Sequence, residues 1–223
     1  MDEDMIKAVI FDMDGLMIDS ERVTYEGYVI VCGKLGLRME EAFYKQVLGL
    51  PLPTVFQMFY DKYGSSFPME QVLEQVHRYM DDRFCKEGVP VKEGLKDLLD
   101  YLKRKDYKTI VATSSNRDRV DRILEQTKLT GYFDDSICGD EIERGKPHPD
   151  IFQKACEKMG VKPEEAIVLE DSEAGIQAAF SAGIPVICVP DMKYPREGFR
   201  EKTVRIVDSL TELSDLFRTG QLR

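Results

Sequence analysis

The chain of 223 residues is 43% apolar and 32% charged, too apolar for a disordered segment and too evenly interrupted by charge for a membrane protein. Its 31 Lys and Arg against 41 Asp and Glu leave a net charge of −10, which repels nucleic acid and anionic membrane surfaces over the molecule as a whole. With 2 histidines and 5 singly placed cysteines, a multi-histidine metal site, a Ser-His-Asp machine and a disulfide framework all lack material, so hydrolytic chemistry must rest on carboxylates.

At roughly 150 residues per domain, the length predicts one domain with a substantial insertion, or two small ones. Lys7 to Phe11 (KAVIF) reads as the first buried strand. From Ser20 to Cys85 the pattern turns helical, with periodicity over Glu21–Leu35, Glu40–Leu48, Pro53–Tyr63 and Met69–Phe84, broken by turn chemistry at Gly36, Gly49–Pro53 and Gly64–Pro68. Strand-like runs then return at Thr109–Ala112, Ala166–Leu169 and Pro185–Val189. Between them lie the Leu95, Leu98, Leu99, Leu102 face, a helix from Ile151 to Met159 stopped by Gly160, and another from Ser172 to Ala182 stopped at Gly183.

This alternation predicts an α/β fold: a Rossmann-like, mainly parallel sheet core with a small inserted all-helical domain. The core is residues 1–19 and 86–223, and residues 20–85 form the insertion, expected to act as a mobile cover over the sheet's ligand crevice. No apolar run reaches the ~18 residues that suggest a membrane span. The opening MDEDMIKAV is acidic where a secretory signal is basic. The expected location is the cytoplasm, with the cysteines reduced and mostly in the core. Neither nucleic acid nor membrane is an expected partner, and the acidic surface fits a monomer without defining the oligomeric state.

Asp12-Met13-Asp14-Gly15 directly follows the first strand, and Glu170-Asp171-Ser172 follows another. Alone, the first motif reads equally as a polar turn; as a calcium loop it places its Gly too early. In a parallel sheet, however, strand ends share one edge, so Asp12, Asp14, Glu170 and Asp171 can converge. Each like-charged pair near 4 Å then costs roughly 4 kcal/mol at an effective dielectric of 20. Such a cluster demands a cation, and hard oxygen ligands with room for phosphate oxygens favour Mg²⁺. Thr113-Ser114-Ser115-Asn116 and Lys146 supply what an anion needs, though Thr113 to Ser115 also read as N-capping of the next helix and Lys146 as a surface charge.

Taken in order, DxDG after the first strand, Thr-Ser after a hydrophobic strand, GKPxPD and EDS after another strand resemble the haloacid dehalogenase superfamily over nearly the whole chain. The resemblance implies a helical cap in the insertion and an Mg²⁺-dependent phosphomonoesterase acting on a small phosphate ester. Asp12 would be the nucleophile, forming an aspartyl-phosphate, and Asp14 the acid and base. Thr113, Ser114 and Lys146 would bind the phosphoryl group. Asp12, the backbone carbonyl of Asp14, and Asp171 would hold the metal, with Glu170 a direct or water-mediated partner.

Within the family, Asp14 and the Glu170-Asp171 pair argue against a dehalogenase, which needs no metal. A β-phosphoglucomutase-type enzyme is the alternative, but Ser20–Tyr25 lacks that activity's cap histidine and Leu52 stands where its cap arginine is expected. The opening DGLMIDSE and Val189-Pro190-Asp191 are similar to sugar-phosphate and pseudouridine-phosphate phosphatases. Arg22, Tyr25, Lys45, Leu50 and Leu52 are the cap residues expected near the leaving group, each with a packing or solvated alternative. A noncatalytic binding protein would share the scaffold but should have lost a core carboxylate. Neither His77 nor His148 is given a role.

Overall fold

The computed structural model describes residues 6–221. Its order is β1 (Ala8–Phe11), α1 (Ser20–Lys34), α2 (Glu41–Val47), α3 (Leu52–Tyr63), α4 (Met69–Glu87), α5 (Leu95–Arg104), β2 (Lys108–Ala112), α6 (Arg117–Thr127), β3 (Asp135–Ile137), α7 (Asp150–Met159), β4 (Ala166–Glu170), α8 (Glu173–Ser181), β5 (Val186–Cys188), α9 (Glu197–Arg200), β6 (Arg205–Ile206) and α10 (Leu210–Arg218). The chain divides into two compact units, one running through Ile18 and resuming at Val91, the other spanning Asp19–Pro90.

In the first unit the strands form one sheet in the order β3-β2-β1-β4-β5-β6, all neighbours parallel. β1 and β4 are buried at every position, the continuous apolar pattern of strands covered on both faces. β1 is central, pairing Ala8–Phe11 with Lys108–Val111 on one side and Ala166–Leu169 on the other. The order reverses between β1 and β4, and in such sheets the ligand crevice lies outside the carboxyl ends at that reversal. β3 and β6 were not expected from the sequence: they are short edge strands, and β6 is Arg205–Ile206 alone.

The crossover helices bury the faces the periodicity predicts. Leu95, Leu98, Leu99 and Leu102 of α5 are buried and pack on α10, whose Leu210, Leu213, Leu216 and Phe217 complete the contact. Tyr101 donates its hydroxyl to the Phe217 carbonyl at 3.0 Å, tying the two helices.

The second unit is all helix. α1 lies against α4, and at Gly27 a methyl would stand 3.1 Å from both Val76 and Tyr79, so the absence of a side chain sets the approach. Phe59 is fully buried, with the rings of Phe43, Tyr28 and Phe67 centred 5.2, 5.4 and 5.5 Å away. Phe56, Met58, Tyr60, Tyr79 and Met80 are only half-buried, because one face of each helix turns inward. α4 continues to Glu87 and stops at Gly88 in a positive-φ conformation, so the compact unit extends past residue 85. Among the described residues no helix is long and apolar enough to cross a membrane.

Candidate active site

β1 delivers Asp12 to the carboxyl edge of the sheet, its amide donating to the Leu169 carbonyl of β4 at 3.0 Å. The chain then turns tightly: Gly15 takes φ +82° and donates to the Ile18 carbonyl, while Met17 and Ile18 donate back to Met13. A Cβ at Gly15 would stand 2.2 Å from an Asp171 oxygen, so the turn closes against that carboxylate only because the residue is glycine. Gly175 does the same for Glu170, where a Cβ would fall 1.8 Å from Oε1.

Asp12, Glu170 and Asp171 each place one oxygen within 4.8 Å of the others. Lys146, on the loop before α7, enters this cluster nearly buried and donates to Asp12 Oδ1 at 2.6 Å, Glu170 Oε1 at 2.6 Å and the Ala112 carbonyl at 3.0 Å. An ammonium has three N–H donors, so these contacts use all of them. Burial pushes the Asp12 carboxyl up to about 8; Lys146 opposes that rise, and the Glu170 and Asp14 charges reinforce it. Burial alone would lower the Lys146 pKa, but the Asp12 and Glu170 carboxylates hold it above its ordinary value.

Glu170 is fully buried, and both its oxygens are occupied: Oε1 by Lys146, and Oε2 by the Asp171 amide at 3.0 Å, the Ser172 amide at 2.9 Å and the Ser172 hydroxyl at 2.9 Å. It braces the loop that presents Asp171. Ser172 in turn caps α8, accepting from the Gly175 amide.

Thr113 is buried after β2; its amide donates to Ile137 and its hydroxyl accepts from the Ser115 amide at 3.2 Å. Ser114 is exposed. The cap of α6 is Asn116, whose side chain accepts from Arg119, so Thr113 to Ser115 do not serve as the cap. This loop is backed by Gly139, whose amide donates to the Ser115 carbonyl at 2.8 Å and where a Cβ would lie 2.2 Å from the Ser114 carbonyl oxygen.

The sequence reading connects neither Ser115 nor Arg119 with Asp14, yet both reach it. Ser115 donates its hydroxyl to Oδ2 at 2.7 Å, and Arg119 donates to Oδ1 at 2.7 Å. Ser115 stood in the noted polar run; Arg119 carried no sequence signal, because only the position of the α6 cap brings it to that carboxylate. His77 and His148 are exposed, and of the cysteines only Cys85 is exposed, Cys32, Cys138, Cys156 and Cys188 being buried free thiols.

With all three carboxylates ionised, the arrangement sets them against one ammonium in a confined space and leaves two negative charges for a divalent cation to balance. The donor set is hard oxygen, which suits Mg²⁺.

A family model described as haloacid dehalogenase-like hydrolase matches residues 9–189. A phosphorylated carbohydrates phosphatase of Thermotoga maritima is 33% identical over 180 residues, covering 80% of this chain and 82% of the relative. The structure of CbbY from Rhodobacter sphaeroides in complex with xylulose-(1,5)bisphosphate superposes with a TM-score of 0.75 at 25% identity, covering 94% of this chain and 96% of that one. A β-phosphoglucomutase from Clostridium difficile has a TM-score of 0.74 at 22% identity, covering 98% of this chain and 97% of that one, a likeness of fold alone.

Proposed function

Because this chain belongs to the haloacid dehalogenase-like hydrolases, we propose that it is a phosphatase that cleaves small phosphorylated metabolites, sugar or nucleoside-type phosphates, through an aspartyl-phosphate on Asp12. The observation that carries the reading is Asp12 itself: a carboxylate at the end of the central strand, beside the sheet's order reversal, bonded to a buried lysine. Lys146 works against the burial and the Glu170 charge that push the Asp12 carboxyl up, favouring the carboxylate form that attacks phosphorus in line. The P–O ester bond breaks, the departing alkoxide takes a proton from Asp14, and Asp12 carries the phosphoryl group. Asp14 then takes a proton from water as that water attacks phosphorus, releasing phosphate and restoring Asp12.

Asp12 and Asp171, with the Asp14 backbone carbonyl, are the groups we assign to Mg²⁺, and Glu170 acts through Lys146 and the 171–172 amides. Bound there, the cation would neutralise charge between Asp12 and the phosphoryl oxygens. Thr113 and Ser114 are the groups we assign to the phosphoryl oxygens, on a loop after β2 that is backed by Gly139. Water as the acceptor, in place of a second sugar hydroxyl, is favoured by the absence of histidine in Ser20–Tyr25 and by Leu52 where the mutase pattern has arginine.

The test is phosphate release from a panel of sugar, nucleotide and pseudouridine phosphates with and without Mg²⁺, beside an assay for glucose 6-phosphate formed from β-glucose 1-phosphate. Metal-dependent phosphate release that disappears in a folded Asp12→Asn variant is expected. Isomer formation with little free phosphate, or turnover retained by Asp12→Asn, would sink the reading.

A further inference from the structure

We propose that Ser115 and Arg119 are positioning residues for Asp14, fixing the rotamer from which its carboxylate meets the ester oxygen. The inference rests on the acid–base role given to Asp14 above. Each Asp14 oxygen is held by its own donor: Oδ2 by the Ser115 hydroxyl at 2.7 Å, Oδ1 by an Arg119 guanidinium nitrogen at 2.7 Å. The other guanidinium nitrogen stands 3.3 and 3.4 Å from the two oxygens and 3.4 Å from the Ser115 hydroxyl, closing a small network. Contacts to both oxygens fix the plane of the carboxylate as well as its direction, which a single bond cannot do.

The donors are themselves anchored. The Ser115 amide donates to the Thr113 hydroxyl at 3.2 Å, and its carbonyl accepts from Gly139 at 2.8 Å. Arg119 sits in the first turn of α6, its amide donating to Asn116 Oδ1 at 3.0 Å. Both residues thus issue from the segment that carries Thr113 and Ser114. One stretch of backbone therefore sets the phosphoryl-binding groups and the acid in register. A displacement of about 1 Å in a reacting group can cost on the order of 10²-fold in rate, so the register has kinetic consequences.

The experiment compares kcat/KM for an alkyl phosphate with that for p-nitrophenyl phosphate, whose phenolate leaves without needing a proton, in wild type, Arg119→Ala, Arg119→Lys, Ser115→Ala and Asp14→Asn. This constant runs through transfer to Asp12, so loss of the acid shows on the alkyl ester. Asp14→Asn is expected to lose about 10²-fold or more on the alkyl ester, with a much smaller loss on the nitrophenyl ester. Arg119→Ala and Ser115→Ala should show the same selective loss, about tenfold each, as a part of that acid contribution. Arg119→Lys should recover part of it, and Arg119→Ala added to Asp14→Asn should cost nothing further.

Melting curves establish that each variant is folded, and a structural defect would lower both esters together. Equal losses on the two esters, no loss, or a rise on the alkyl ester, with Asp14→Asn still selective, would overturn the positioning role alone. If Asp14→Asn is unselective, the acid–base reading fails and takes this inference with it.

Discussion

Replacing Glu170 by glutamine keeps the shape of a fully buried side chain and removes its charge. The amide can keep its oxygen toward Asp171 N, Ser172 N and the Ser172 hydroxyl, but its NH₂ then confronts the Lys146 ammonium that Glu170 Oε1 accepts from at 2.6 Å. Turned over, it opposes three donors. Coulomb attraction to Lys146 and repulsion from Asp12 and Asp171 are each several kcal/mol at an effective dielectric of about 20 and act in opposite directions. The hydrogen bond therefore decides the sign. A charge-assisted bond contributes about 1.5–3 kcal/mol, and at about 2–4 °C per kcal/mol for a chain of this size the metal-free melting temperature should fall by about 3–12 °C. Scanning calorimetry of wild type and Glu170→Gln, with and without Mg²⁺, measures it. Mg²⁺ should still raise the melting temperature of the variant. A metal-free value that holds or rises would mean that relieved repulsion outweighs the Lys146 bond, and loss of the Mg²⁺ response would make Glu170 a direct ligand; either result refutes the bracing role.

Gly139→Ala drives a methyl into the Ser114 carbonyl, a backbone group that cannot step aside cheaply. A stability loss of about 1–3 kcal/mol is expected, together with weaker inhibition by inorganic phosphate; urea unfolding and inhibition constants check both, and unchanged phosphate inhibition would detach this loop from phosphoryl binding. Burial pushes Cys138 up to about 11, and Cys188 and Tyr28 up to about 12. Because these folded values lie above the ordinary 9.0 and 10.0, their contribution is complete below the ordinary values and lost as pH rises toward 11–12. Urea midpoints should be flat with respect to these groups below about pH 9 and fall above it, following the usual thiol pKa; a flat profile through the alkaline range would contradict the assignment.

The strands readable in the sequence are those with continuous apolar runs: β1 and β5 fall within the expected segments, β2 also takes in Lys108 and β4 also takes in Glu170. Asp135-Ser136-Ile137 and Arg205-Ile206 were not readable, because an edge strand pairs on one side only and needs little apolar length. The meeting of Asp12, Glu170 and Asp171 was legible because parallel strand ends share an edge, a rule that needs no side-chain detail, whereas the Asp14 carboxylate, expected with them, turns to Ser115 and Arg119. What each group does to its neighbour was not legible. That Glu170 spends both oxygens on donors depends on the local path of residues 170–172, and that Arg119 meets Asp14 depends on where Asn116 starts a helix. Sequence spacing carries neither.

The strand that bears Asp12 has satisfied ladders on both sides, whereas β6 at the rim holds only Arg205–Ile206. Partial openings of a domain begin where fewest bonds must break. The rim can therefore detach and return while Asp12, Lys146 and Glu170 stay joined. Separating Asp12 from Glu170 requires parting β1 from β4 at the centre of the sheet, so the Asp12 carboxylate belongs to the last cooperative unit to let go.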